Sequence, residues 1–262
     1  MTDHSAALTY SSYLALDEVL AAQRPRSDEH DELLFIIIHQ VYELWFKQLI
    51  HEFGKLQRAL TNGETAHASH TLVRIRAILK VIVAQIDVLE TMTPRQFTSF
   101  RARLDASSGF QSAQFREIEA VLGRRDPRVF NHYPPGPQRE RIEAAMNRPS
   151  IFDAFLSYLV LHDYQVPHDR LHRDVSLPLE ASPDLQKTLL QVYKDDAGPA
   201  QICERLVDLD EGLQEWRYRH VKMVERVIGD KKGTGGSAGA AYLRTTLFTP
   251  IFPDLWAVRS EL

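Results

Sequence analysis

Between Asp31 and Phe53 the chain reads DELLFIIIHQVYELWFKQLIHEF, in which Phe35, His39, Tyr42, Phe46, Leu49 and Phe53 recur at intervals of four and three residues. That spacing predicts a long buried helix with one apolar stripe, Gln40, Glu43, Lys47 and His51 falling on another face. One member of the stripe is a histidine. An imidazole turned inward costs stability unless its nitrogens find partners, so His39 is either a tied core residue or part of a site. The same pattern returns near the C-terminus. Ile202, Leu206, Leu209, Leu213, Trp216, His220, Met223 and Val227 repeat at four and three, and His220 again interrupts an apolar seam. A third long helix is predicted from Thr65 to Thr91 by Leu72, Ile75, Leu79, Ile82, Ile86 and Leu89, returning antiparallel to the first after a turn at Asn62 and Gly63.

Shorter elements are marked by their ends. Thr93, Pro94 and Gln96 form a strong helix start, with a cap hydroxyl, a proline at the first helical position and an amide three residues after the cap. Ser150 with Asp153 opens another helix that runs until Pro167, and Ser182 with Pro183 a further one. GFQSAQFREIEAVLG reads as a helix stopped by Gly123, and Pro199 begins the His220 helix, which ends at Gly229. The N-terminal LTYSSYLALDEVLAAQ is a short amphipathic element broken by Arg24, Pro25 and Ser27, and Asp126 to Pro137 is a loop or crossover. No stretch alternates apolar and polar residues, so the expected fold is an all-α helical bundle forming a single domain over residues 1–262.

Composition narrows the function classes. The 262 residues are 44% hydrophobic and 25% charged, with net charge −4, which gives no electrostatic footprint for nucleic acid or an anionic membrane. Cys203 is the single cysteine, excluding an internal disulfide and a thiolate metal cluster, and it is read as a small packed side chain. The N-terminus shows no signal peptide, and the longest apolar run, LLFIII, is too short to span a bilayer, so a cytoplasmic location is expected.

Four groups carry candidate chemistry. His39 and His220 suit a flat cofactor held between helices, one imidazole ligating a metal and the other acting on a bound molecule. Arg101, among Phe97, Phe100 and Leu104, can clamp a carboxylate or cover the rings with its methylenes. The glycine-rich KKGTGGSAG offers Thr234 and Ser237 on a backbone able to fold over a ligand, or a plain linker. His162, His168 and His172, with Asp163 and Asp169, have metal-ligand spacing, although Pro167 and the flanking charges favour a solvated helix start. Arg217, Arg219 and Lys222 beside Glu225 are expected on exposed helix faces.

The chain resembles the tryptophan 2,3-dioxygenase family over nearly its whole length. The resemblance is carried by LTYSSYL, HDELLFIIIHQVYELWFKQLIHE, VLETMTP, FRARLDASSGFQSAQFR, WRYRHVKMVERVIGDKKGTGGSAGAAYL and FPDLWAVR, in the family's order. It implies a haem b enzyme that inserts O2 across the indole C2–C3 bond of L-tryptophan to give N-formylkynurenine. By position, it implies that His220 is the axial ligand of the haem iron and His39 the histidine of the oxygen-binding side. Arg101 would bind the substrate carboxylate, Thr234 that carboxylate or the ammonium, and Phe35 would stack on the indole, with Ser108 and Gly109 lining the pocket. Tyr10, Tyr13 and Leu14 match a segment that enters a neighbouring subunit of a homotetramer. Two positions depart from many members: Ile38, where Thr or Gln is common, and Phe97, where some bacterial members have tyrosine. They keep open a mono-oxygenase of the same superfamily that forms a 2-oxindole from tryptophan or β-methyltryptophan. A non-catalytic haem sensor is a third reading, against which Arg101 and the glycine loop argue.

Overall fold

The computed structural model describes residues 7–105, 107, 109–231 and 239–262. Its described residues form helices and no strand: α1 (Tyr10–Leu14), α2 (Leu16–Leu20), α3 (His30–Thr61), α4 (Thr65–Leu89), α5 (Pro94–Arg101), α6 (Ala113–Val121), α7 (Pro137–Met146), α8 (Ile151–Leu161), α9 (His168–Leu171), α10 (Pro183–Asp195), α11 (Gly198–Ile228), α12 (Ala240–Arg244) and α13 (Pro253–Ala257), with 3-10 turns at Gly109–Gln111, Pro127–His132 and Val258–Glu261. The fold is all-α.

The bundle is built around α4, which packs between α3 and α11. The tight turn at Asn62 and Gly63, the latter at φ +73°, sends α4 back antiparallel to α3. Tyr42 donates its hydroxyl to the Ile82 carbonyl at 2.8 Å and ties these two helices together. Contacts between α4 and α11 advance together along both chains, Arg76 with Asp208, Leu79 against Gly212, and Arg219 with Asp87 and Glu90, so these two run parallel. At Gly212 a β-carbon would stand 3.3 Å from Leu79 Cδ1, so the glycine gives that side chain room between the two helices. α3 and α11 are therefore antiparallel, and α6 and α8 pack on α3.

The capping signals fold as expected at Thr93 and Ser150, both with reciprocal capping boxes. Four features differ from the sequence reading. α8 ends at Leu161, capped at His162, instead of running to Pro167. α3 continues past Phe53 to Thr61, because Leu56, Ala59 and Leu60 prolong the buried stripe. Ser112 caps α6 through its hydroxyl, so GFQ becomes a separate 3-10 turn instead of the first turn of one long helix. α7, not expected after the prolines, buries only Ile142 and Ala145 and packs on α6. By length and composition α3 could cross a membrane, a property that the core helix of a soluble protein shares. The unbroken run counted in the sequence missed this because the apolar residues of α3 are spread over more than four turns.

The C-terminal segment is fastened to α11 by Asp210. This fully buried carboxylate accepts the amides of Ile251 and Phe252 at 2.7 and 3.0 Å, the Trp256 indole N–H at 2.9 Å and the Gln214 amide at 2.9 Å. Cys203 is buried, and desolvation pushes its thiol well up, as fits a packed side chain.

Candidate active site

Near the N-terminal end of α3 and the C-terminal end of α11 the two helices leave a partly open cavity with about 180 Å³ of water-accessible space. Its floor is aromatic. Phe115 of α6 lies between Phe46 of α3 and Trp216 of α11, with ring centroids 5.4 and 4.8 Å away, and Phe46 meets Trp216 edge-on at 6.5 Å. Two turns from Phe46 on α3 and one turn from Trp216 on α11 stand the two histidines of the apolar seams, and both line the cavity.

Their surroundings assign each ring a state. His39 Nδ1 lies 2.7 Å from the Phe35 carbonyl one turn back. A carbonyl only accepts, so Nδ1 carries the proton and Nε2 is left as a lone-pair acceptor. Burial lowers the His39 pKa against the opposing pull of that carbonyl, which keeps the ring neutral. His220 stacks on Trp216 at 5.1 Å with rings 15° apart, and it makes no hydrogen bond among the described residues. Desolvation, with repulsion from His39 and Arg116, pushes its pKa down to about 4. Both rings are part-buried and line the cavity.

Phe35 packs against His39 at 4.1 Å and against Phe97 and Phe100 at 5.7 Å each, so one wall beside His39 is aromatic. Arg101 ends α5 on the same wall. Gly109 lies against His39, where a β-carbon would be 3.7 Å from Nε2. The opposite wall is Met223, Val224, Val227 and Ile228 of α11, and Tyr242, Leu243 and Thr246 close a further side.

The structure thus gathers five of the residues singled out from the sequence, Phe35, His39, Arg101, Gly109 and His220, into one cavity. Ser108 and Thr234 lie outside the described residues. Tyr10, Tyr13 and Leu14 are 76, 72 and 39% exposed and do not line their own chain's cavity. Ile38 points into a separate apolar cluster with Leu89, Met92 and Phe97, so its lack of polarity concerns packing, whereas Phe97 does reach the cavity wall. The histidine cluster does not assemble: His162 Nε2 is 3.3 Å from the Gly63 carbonyl, His168 and His172 stack on each other at 4.2 Å, and no group of potential metal ligands forms among the described residues.

The expectation for Arg217 is corrected. Arg219 and Lys222 pair with acids at the helix surface, but Arg217 is buried and lines the cavity beside Glu119. It follows Trp216 by one residue and turns toward α6, a partner that helical spacing does not show. Arg116, Glu119 and the residues of α12 were missed for the same reason, since a lone charged residue on a short helix carries no periodic signal.

Apolar walls and an imidazole with no hydrogen-bond partner among the described residues fit a planar metal cofactor. Neutral imidazole is the form that ligates iron.

Comparison with known proteins agrees. The sequence profile described as Tryptophan 2,3-dioxygenase matches residues 1–159 and 161–262. The chain is 65% identical over 268 aligned positions to the tryptophan 2,3-dioxygenase of Anaeromyxobacter dehalogenans, covering all of both chains. It is 56% identical to that of Herpetosiphon aurantiacus, over 98% of this chain and all of the relative, and 43% identical to that of Caulobacter vibrioides, over 97 and 98%. With full-length similarity at this level and both seam histidines on one cavity, the chain belongs to the tryptophan 2,3-dioxygenase family.

Proposed function

We propose that the protein is a haem-dependent dioxygenase that adds both atoms of O2 across the indole C2–C3 bond of L-tryptophan, giving N-formylkynurenine. The observation that carries this reading is the pair of neutral imidazoles on one cavity, His220 with no hydrogen-bond partner among the described residues and His39 with its acceptor nitrogen fixed by the Phe35 carbonyl. Haem, when bound, would supply dioxygen activation, and the His220 imidazole would hold its iron.

The chain's own residues do the positioning. His39 Nε2 accepts the indole N–H; with its proton held on Nδ1 it is an acceptor and not an acid. Phe35 offers a ring face to the indole, and Phe97 and Phe100 behind it keep water from that side. The Arg101 guanidinium pairs with the amino-acid carboxylate, a planar match that lysine cannot reproduce. By the family resemblance, Thr234 would contact the carboxylate or the ammonium and Ser108 would belong to the substrate pocket. Held at three points, the substrate presents its C2–C3 bond in one orientation, which is where most of the protein's contribution to rate lies.

The exposed Tyr10, Tyr13 and Leu14, all in the short helix α1, which buries no residue of its own, support insertion of this segment into a neighbouring subunit of a homotetramer. The single buried Cys203 suits the reducing cytoplasm. The test is the product. Reduced, haem-loaded protein in air with L-tryptophan is expected to yield a compound heavier by two oxygen atoms, both labelled from ¹⁸O₂. One added oxygen would replace this reading with oxindole formation, and a stable complex without product would replace it with a sensor.

A further inference from the structure

The inner wall of the cavity carries charges that the reading above does not use. Glu119 of α6 is only 5% exposed, and three guanidinium groups share its carboxylate. Arg116 and Arg124 donate to it, the latter at 2.6 Å, and Arg217 of α11 stands 3.6 Å from Oε1. The side chains of Arg116 and Arg217 are 11 and 10% exposed, and both line the cavity that holds His220. Arg124 belongs to the far side of the group, where Asp126 also neutralises it.

The charge balance is uneven. Burial alone would raise the Glu119 carboxyl, but the three guanidiniums bring it below the usual range. For Arg217 desolvation outweighs the attraction of Glu119, so its pKa is lowered. A guanidinium keeps its proton in a protein, and a buried cation with incomplete compensation costs several kcal/mol. Such a group at a cavity wall is complementary to an anion, and guanidinium pairs match carboxylates best.

We propose that Glu119 is a positioning residue, holding Arg116 and Arg217 together as a cationic socket, and that the socket receives the carboxylate side chains of the porphyrin bound in the cavity. This rests on the haem reading given above. Without the anion between them the two guanidiniums, carried by different helices, repel each other and lose their common orientation toward the cavity.

The test compares two ligands that differ only in charge: protohaem, and its dimethyl ester, in which both acid groups are neutral. Apo-protein is titrated with each, and binding is read from the Soret band and from the rate of porphyrin transfer to excess apo-globin. The wild-type chain is expected to prefer the free acid by about 10- to 100-fold, the range given by one or two charge-assisted hydrogen bonds. Arg217→Gln should reduce that preference several-fold. Glu119→Gln decides the positioning role. Removing an anion would by charge alone strengthen the preference for the acid, whereas loss of positioning weakens it. Should Glu119→Gln not fold, Glu119→Asp keeps the charge with a shorter reach, and a weakened preference is again expected. A preference that rises in Glu119→Gln, or stays at the wild-type value in Glu119→Asp, overturns the role of Glu119. Equal binding of acid and ester by the wild type overturns the socket and leaves the haem reading standing. Absence of a Soret band with either porphyrin ends both.

Discussion

Gly109 offers a substitution in which stability and binding should move in opposite directions. The backbone there is outside the left-handed region, and a β-carbon would meet His39 Nε2 at 3.7 Å and Cδ2 at 3.8 Å, which is ordinary contact. Gly109→Ala therefore fits without a clash. At such a position the change stabilises by about 0.4–1 kcal/mol, because the unfolded chain loses freedom, so the denaturation midpoint should stay or rise slightly. The added methyl, however, crowds the one lone pair that His39 has available. A donor needs to come within about 2.9 Å of that nitrogen. Losing this hydrogen bond, with the acceptor left buried, costs about 1–3 kcal/mol, or roughly 5- to 150-fold in Kd. The assay is spectrophotometric titration of haem-loaded protein with L-tryptophan and with its benzothiophene isostere, in which sulfur replaces the indole N–H. Tryptophan should lose affinity in the variant, and the preference for tryptophan over the isostere should shrink. A folded, haem-loaded Gly109→Ala protein that binds tryptophan as tightly as the wild type would refute the role given to Nε2.

Other expectations follow from the same contacts. Arg101→Leu should keep its haem but bind tryptophan more weakly by about 1.5–3 kcal/mol, the worth of a charge-assisted hydrogen bond; tryptamine, which lacks the carboxylate, should bind both proteins alike, and equal loss for the two ligands would count against the clamp. Asp210→Ala leaves the amides of Ile251 and Phe252 and the Trp256 indole without their acceptor; at about 1–3 kcal/mol per orphaned donor, urea unfolding should show a loss of roughly 3–9 kcal/mol, and a change within experimental error would show that the C-terminal segment is held otherwise. Asp153 is held by a two-pronged Arg173 contact at 2.7 and 2.9 Å. Burial raises this carboxyl, but hydrogen bonds from Arg173 and Ser150 more than offset it and leave the pKa below the ordinary 3.8. The stability it contributes is complete above about pH 4 and is lost as pH falls through the lowered value. Asp153→Asn should therefore be less stable than wild type at pH 7, with the gap closing in acid; a gap constant down to pH 2 would contradict the assignment.

Residues that speak in a repeat were readable before any coordinates. The seams of α3, α4 and α11 announced themselves at 3.6-residue spacing, and a polar residue inside such a seam, His39 or His220, stood out against its neighbours. The capping residues Thr93 and Ser150 act within one turn, so their role was also visible locally. What stayed hidden depends on tertiary docking. Arg217 was read as surface because nothing in the sequence of α11 tells which flank meets α6, and Glu119, its partner, lies about a hundred residues earlier on a nine-residue helix. The tautomer of His39 was equally out of reach, since it follows from a single distance to the Phe35 carbonyl.

The parallel docking of α11 on α4 has a consequence for biogenesis. The α3–α4 hairpin is built from adjacent segments and can form while synthesis continues, but the wall that carries His220 comes from the last quarter of the sequence. No earlier fragment contains both imidazoles, so a cofactor held between them would wait until α11 has left the ribosome and settled beside α4. On the proposed haem reading the porphyrin would then clamp the first and last thirds of the polypeptide together, and haem supply would become a control on how long the molecule survives in the cell.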